Sequence, residues 1–247
     1  MKASPAPLPK TRIRRSAEMI RGERPLVVYE RLRHLIVHGV LAPGSRIVES
    51  DVAVRLGVSR TPVRGALQRL QQEGYIVDPS GGRLARPTVA PLTSGDAREL
   101  FHIVAEVEGL AGRWAAELPP ADRRSLAREL RAINADFRRE ADARRPDFNR
   151  LHDLDSTFHR SYVEIGAGPR LLALHTTIKP QAERYERLYV SLLTSDLKTS
   201  AAEHDAIATA IDRGNPDAAQ RAVQTNWRNA AERLERVIER AGERGSW

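Results

Sequence analysis

Leu56-Gly57-Val58-Ser59-Arg60-Thr61-Pro62-Val63-Arg64, continuing through Ala66-Leu67-Gln68-Arg69-Leu70 to Glu73-Gly74, is the stretch on which the fold turns. Val52, Ala53 and Leu56 give a short helix an apolar face, and Gly57 ends it. Glycine permits the left-handed backbone that lets two helices cross steeply, and Val58 plugs the core between them. Ser59 then caps a second helix, with Pro62 in its first turn, where a missing N–H costs nothing. Val63, Ala66, Leu67 and Leu70 form the buried stripe of that helix, and Gly74 terminates it. Its opening turn therefore offers Ser59, Arg60 and Thr61 to solvent, with Arg64 one turn later. A recognition helix in a DNA groove needs that division of labour. Arg60 and Arg64 suit bidentate contact with guanine O6 and N7, and Ser59 and Thr61 suit phosphate oxygens.

Working outward, Val27, Val28, Leu32, Leu35 and Ile36 recur at helical spacing before Gly39, and Leu41-Ala42-Pro43-Gly44 is a turn. Glu49-Ser50-Asp51 offers the start of the next helix. Downstream, Tyr75-Ile76-Val77, then Pro79-Ser80-Gly81-Gly82, then Arg83-Leu84-Ala85-Arg86 reads as apolar run, turn and second run, a small hairpin. Gly82 would let that wing approach a minor groove, with Arg83 beside it. Residues 25–90 thus form a winged helix-turn-helix, and 87–94 reads as the linker behind it. Charge agrees with this reading. Residues 1–90 hold 16 Lys and Arg against 7 Asp and Glu, whereas the remainder holds 24 against 25. The basic excess sits entirely in the first third, which points to a polyanionic partner for that module.

Residues 94–242 show no strand pattern. Six amphipathic stretches, near 94–118, 121–143, 147–166, 169–194, 196–213 and 215–242, are separated by Pro and Gly, so the second domain is an antiparallel all-α bundle. The fold class is mainly α. Residues 1–24, with Pro5, Pro7 and Pro9 and scattered arginine, read as a disordered basic tail. There are no cysteines, which excludes disulfides and thiolate metal sites. No run approaches the roughly 20 apolar residues that span a bilayer, and no signal-peptide core opens the chain. A cytoplasmic protein is the expectation.

The string from Ala53 to Gly74, with Ile36-Val37-His38-Gly39 and Leu41-Ala42-Pro43-Gly44 upstream, resembles the GntR family of bacterial regulators. Two positions depart from it. Ser50 stands where many members carry a DNA-holding arginine, and Gly65 replaces a usual glutamate at a helix-propensity cost of about 1 kcal/mol against Ala. The second domain resembles the FadR-type branch with its FCD bundle, through Asp155-Ser156-Thr157-Phe158-His159. Asp155 and His159 lie four apart on one helix face, which Leu151, Leu154, Phe158 and Tyr162 mark as bordering the core. His204 and Asn226 sit on apolar stripes of two later helices. The resemblance implies a divalent metal held at Asp155, His159, His204 and the position of Asn226, beside a small effector that is usually a carboxylate. Imidazole and carboxylate ligands accept zinc, nickel or manganese. Asn226 replaces a histidine of the pattern and is a weaker ligand or an outer partner. Val104 replaces an arginine that would anchor a carboxylate, while Glu108 of the same pattern remains, so Glu108 and Tyr162 are the candidate effector residues. His34, His38, His102, His152 and His175 have no partner that sequence identifies.

The reading is a ligand-responsive regulator, a repressor released by a small metabolite, acting as a homodimer on a short inverted repeat of double-stranded DNA. The alternative is a metal-dependent helical enzyme with an appended nucleic-acid module. It lacks a general acid or nucleophile at motif spacing, a phosphate-binding Gly-rich loop and any H-E-x-x-H. A non-regulatory architectural DNA binder would leave the polar cluster without a purpose.

Overall fold

The computed structural model describes residues 25–78, 87–192 and 197–245. The tail at 1–24, Gly82, Arg83 and the rest of the 83–86 run lie outside these residues. The chain divides after Ala90 into two compact units.

In the first unit, α1 (Pro25–Val37), α2 (Glu49–Leu56) and α3 (Arg60–Gln72) precede a hairpin of β1 (Ile76–Val77) and β2 (Thr88–Val89). Gly57 adopts φ 69°, and its N–H reaches back to the carbonyls of Ala53 and Val54. A side chain there would strain the turn that aims α3. Val28, Leu32 and Ile36 of α1 share one core with Leu56, Val63, Leu67, Leu70 and Val89, and Val58 packs against it. Two expectations change. Ser59 holds the N-cap position of α3 but its hydroxyl makes no capping bond. The return strand is Thr88–Val89, inside the segment read as linker, paired antiparallel with Ile76–Val77. The reason is that this strand is bonded on both sides. Ala90 N–H donates to Tyr75 O at 2.9 Å, while Val89 N–H donates to Ser45 O and Gly44 N–H to Val89 O, both at 2.9 Å. The Gly44–Ile47 segment thus adds an isolated bridge, Arg46 to Thr88, a long-range pairing that local pattern does not announce.

The second unit holds α4 (Ser94–Glu117), α5 (Pro120–Ala141), α6 (Phe148–Gly166), α7 (Pro169–Tyr189), a 3-10 turn (Val190–Leu192), α8 (Leu197–Asp212) and α9 (Pro216–Ala241). The six expected helices are all present. Side-chain caps start three of them: Thr93 accepts from Asp96 N–H, Asp147 from Asn149 and Arg150, and Asn215 from Ala218. Phe101, Val104, Ala105, Ala111 and Ala115 turn the inner face of α4 into the bundle core, against Phe158, Tyr162, Trp227 and Leu234. Close approach here depends on glycine. A Cβ on Gly166 would sit 2.2 Å from the Ala111 carbonyl oxygen, so the end of α6 lies backbone-to-backbone on α4. Leu92 and Arg244 exchange backbone hydrogen bonds of 2.8 and 3.0 Å and tie the two ends of the unit together.

Candidate functional site

Two sets of functional side chains emerge, one in each unit. Ser59, Arg60, Thr61 and Arg64 are all exposed on the first turns of α3. With no side-chain cap on Ser59, the first N–H groups of α3 remain available to an anion, where the helix dipole also favours negative charge. Arg60 makes no hydrogen bond or ion pair among the described residues. Arg64 is engaged instead: its Nε and Nη2 donate to both oxygens of Glu49 at 3.2 and 3.1 Å. The Arg64 side chain is 63% exposed, and a pair so placed exchanges readily for another anion.

The buried set draws on all six helices of the bundle. Asp155 and His159 come from α6 and His204 from α8, and one ligand atom from each lies within 4.8 Å of the others. His204 is fully buried. Its Nδ1 faces Asn134 Oδ1 at 3.2 Å. The Asn134 amide nitrogen is spent on Ala201 O at 2.9 Å and Asp205 Oδ1 at 2.7 Å, so the oxygen is the atom that faces the ring. His204 must therefore donate through Nδ1, and its Nε2 carries the lone pair. That Nε2 is buried without a hydrogen bond, 3.3 Å from Asp155 Oδ1. Burial pushes the His204 pKa below its usual value, more than Asp155 raises it. His204 Nε2 and a carboxylate oxygen thus face each other in a buried gap, an arrangement that a cation would satisfy.

His159 is oriented from behind. Its Nδ1–H donates to Glu108 Oε2 at 2.7 Å. The same oxygen accepts from Tyr162 at 2.6 Å and from Trp227 Nε1–H at 2.8 Å, and Oε1 accepts from His175 Nε2–H at 2.8 Å. Burial alone would raise the Glu108 pKa, but the charge and hydrogen bonds of His159 and His175 hold it well below the usual carboxylate range. Burial likewise works to lower the pKa of His159, yet Glu108 outweighs it and the net shift is upward. Glu108 fixes the tautomer of His159 and leaves its outer nitrogen for a ligand, the role outer-shell carboxylates play at metal-bound histidines. Asp155 is also held below the usual range: burial opposes its charge, but His204, His159 and Lys179 favour it more strongly.

A cavity of about 100 Å³ opens beside this cluster. Asp155, His159 and Asn226 line it together with Phe101, Phe137 and Trp227. Asn226 Nδ2 donates to Glu203 Oε2 at 2.9 Å, and the same glutamate takes both Nη atoms of Arg233 at 3.0 Å. Glu108 and Tyr162, by contrast, are wholly buried behind His159. Two of the histidines without an expected partner also belong to this centre. His175 has a partner in Glu108, and His152 lines the cavity, where burial pushes its pKa down to about 4. His34, His38 and His102 are exposed. Sequence reasoning missed Asn134, Trp227 and Lys179. Only the four-residue spacing of His175 and Lys179 on α7 hinted that this helix contributes polar groups inward.

An exposed recognition helix in one unit and a buried polar centre in a separately folded bundle define a DNA-binding transcription regulator. The description "bacterial regulatory proteins, gntR family" matches residues 26–83, and "FCD domain" matches residues 99–229. The chain is 30% identical to an uncharacterized HTH-type transcriptional regulator in an unstable DNA locus of Streptomyces ambofaciens, over 85% of this chain and 84% of that one. It is 28% identical to a probable D-xylose utilization operon transcriptional repressor of Paenarthrobacter nicotinovorans, over 76% of this chain and 78% of the other. Among solved structures, Escherichia coli McbR/YncC shares the fold with a TM-score of 0.64 at 19% identity, covering 86% of this chain and 97% of that one. The chain belongs to the GntR family of regulators, with an FCD domain behind its helix-turn-helix. These relations favour a regulator over the enzyme alternative. No helix among the described residues is long and apolar enough to cross a membrane.

Proposed function

We propose that this chain is a cytoplasmic, ligand-responsive repressor that binds a short inverted repeat as a homodimer and leaves it when a small metabolite occupies the bundle. Residues 25–90 read DNA, through Arg60 and Arg64 at base edges and Ser59, Thr61 and the α3 N-terminus at phosphate. Residues 94–242 bind the effector and dimerise. The repressor name of the Paenarthrobacter relative supports the sign of the response.

The observation that carries the sensing role is His204 Nε2, buried and unbonded, facing Asp155 at 3.3 Å. Asp155, His159 and His204 would hold a divalent cation, zinc, nickel or manganese, with Asn226 as a weak fourth ligand or outer partner. Such a cation supplies a Lewis-acidic anchor for one oxygen of an effector. Glu108 and Tyr162 then act through His159, by holding its ring, rather than by touching the effector. The resemblance implies a small carboxylate as the effector class. Val104 is buried and offers no cationic anchor, and Arg233 is committed to Glu203, so a carboxylate would depend on the cation alone.

The test uses fluorescence anisotropy on a labelled operator, with metal-loaded protein and a panel of small acids and sugars. Wild type should bind and be released by at least one compound. His204→Ala should still bind DNA and lose the release. Loss of DNA binding alone, or an unchanged response, would contradict the assignment.

A further inference from the structure

Neighbouring residues of α7 serve two different regions of the bundle. Glu186 lines the cavity together with Asp155 and His159. Tyr185, one residue earlier, grips the segment by which the chain enters the bundle from the first unit. Its hydroxyl accepts from Thr93 N–H at 3.1 Å and donates to Asp96 Oδ2 at 2.6 Å. One turn on, Tyr189 donates to Gly242 O at 3.1 Å. The C-terminal segment closes the clasp. Glu243 Oε1 accepts from Ser94 N–H at 3.0 Å, and the backbones of Leu92 and Arg244 bond each other at 2.8 and 3.0 Å.

The helix that joins these two tasks has a weak turn between its halves. Pro180 stands inside α7. It has no N–H for the Thr176 carbonyl, and its ring crowds that turn, so bending is easiest there. Lys179, just before the proline, donates to both oxygens of Glu186 at 3.1 and 3.0 Å. This ion pair spans the weak turn. Its two side chains are only 6% and 14% exposed, so neither charge leaves its partner unless another group replaces it. For Glu186 that group is a donor on a cavity occupant, a hydroxyl or an amine.

We propose that the Lys179–Glu186 pair is the latch of a clasp on the connector between the two units. An occupant that draws Glu186 from Lys179 lets α7 bend at Pro180 and releases Tyr185 from Thr93 and Asp96. Release adds Pro91 to Thr93 to the connector, roughly 10 Å of chain. The mechanism rests on the sensing role given to the bundle above and supplies its route toward the first unit.

Backbone hydrogen–deuterium exchange on the full chain is the test, and it needs neither effector nor operator. In the wild type the amides of Leu92, Thr93 and Ser94 should be protected. Tyr185→Phe keeps the ring, removes both hydroxyl bonds and should speed their exchange about 5- to 10-fold. Glu186→Gln touches none of these amides, yet should speed the same segment about 3-fold while α5 exchanges as before. Added to Tyr185→Phe it should contribute little more, because the route is already cut. Unprotected amides in the wild type, no change at 92–94 in Glu186→Gln, a rise shared equally by α5, or full additivity would each overturn the latch. If Glu186→Gln does not fold, Pro180→Ala decides. Restoring an N–H to the Thr176 carbonyl should slow exchange at 92–94, and equal or faster exchange overturns the mechanism. An overturned latch leaves the sensing role standing, whereas a bundle that answers to no compound leaves the exchange results untouched.

Discussion

The two units put their polar chemistry in opposite places. On α3, Ser59, Arg60 and Thr61 extend into solvent, and Arg64 holds only an exposed pair with Glu49. In the bundle, Glu108 is wholly buried and every partner around it is another side chain: His159, Tyr162, Trp227 and His175. A surface that must trade water for phosphate keeps its groups loosely held. A pocket that must distinguish small molecules holds its groups rigidly, because a buried polar atom without a partner is costly. The difference teaches where mutations should hurt folding and where they should hurt only binding.

The largest effect on stability is expected at Gly166→Ala. Its Cβ would meet the Ala111 carbonyl at 2.2 Å, and backbone cannot yield as a flexible side chain can. Thermal or denaturant unfolding should report a loss of about 3 kcal/mol or more. A loss below about 1 kcal/mol would mean that α6 and α4 are not packed as described. Glu108→Leu comes next. It strands four donors in the core at once, and about 3 kcal/mol should be lost. A near-neutral result would break the claim that this carboxylate organises the centre.

On the other side of the comparison, Arg60→Ala and Arg64→Ala should leave unfolding unchanged and weaken operator binding by about 5- to 100-fold per half-site. Among the described residues Arg60 has no partner to leave, whereas Arg64 must first exchange Glu49, so the Arg60 variant should lose more. Arg83→Ala should cost less and act evenly across DNA sequences. Wild-type binding by both α3 variants would remove that helix from the interface. The smallest effect is a gain. Gly65 is exposed on α3, a methyl group there would meet nothing within 4 Å, and its φ is not positive. Gly65→Ala should therefore stabilise the unit by about 0.5–1 kcal/mol in a melting experiment.

The same contrast explains what could be read from the sequence. Helix-turn-helix chemistry is local. Gly57, Ser59, Arg60 and Arg64 fall within eight residues, and helical periodicity alone decides which of them face out. The six bundle helices were equally legible, because Pro and Gly punctuate them. The second strand of the hairpin was not, since Thr88–Val89 is defined by bonds to Ser45 and Tyr75, far away in sequence. In the centre, Asp155 and His159 announce each other by spacing, and the family resemblance adds His204 and Asn226. Nothing in the sequence says that Asn134 on α5 sets the tautomer of His204, or that Glu108 stands behind His159 rather than in the cavity. Those roles arise from helices that meet only in the folded bundle.

The most direct test of the central claim is calorimetric titration of tag-free protein, stripped of metal, with zinc, nickel and manganese. Expected are one site per chain for at least one of these ions, tighter binding in Asn226→His, no binding in His204→Ala, and a higher melting temperature for the loaded wild type. No heat with any of the three ions, together with an unchanged melting temperature, would contradict it and leave Asp155, His159 and His204 as a polar cluster without a cation.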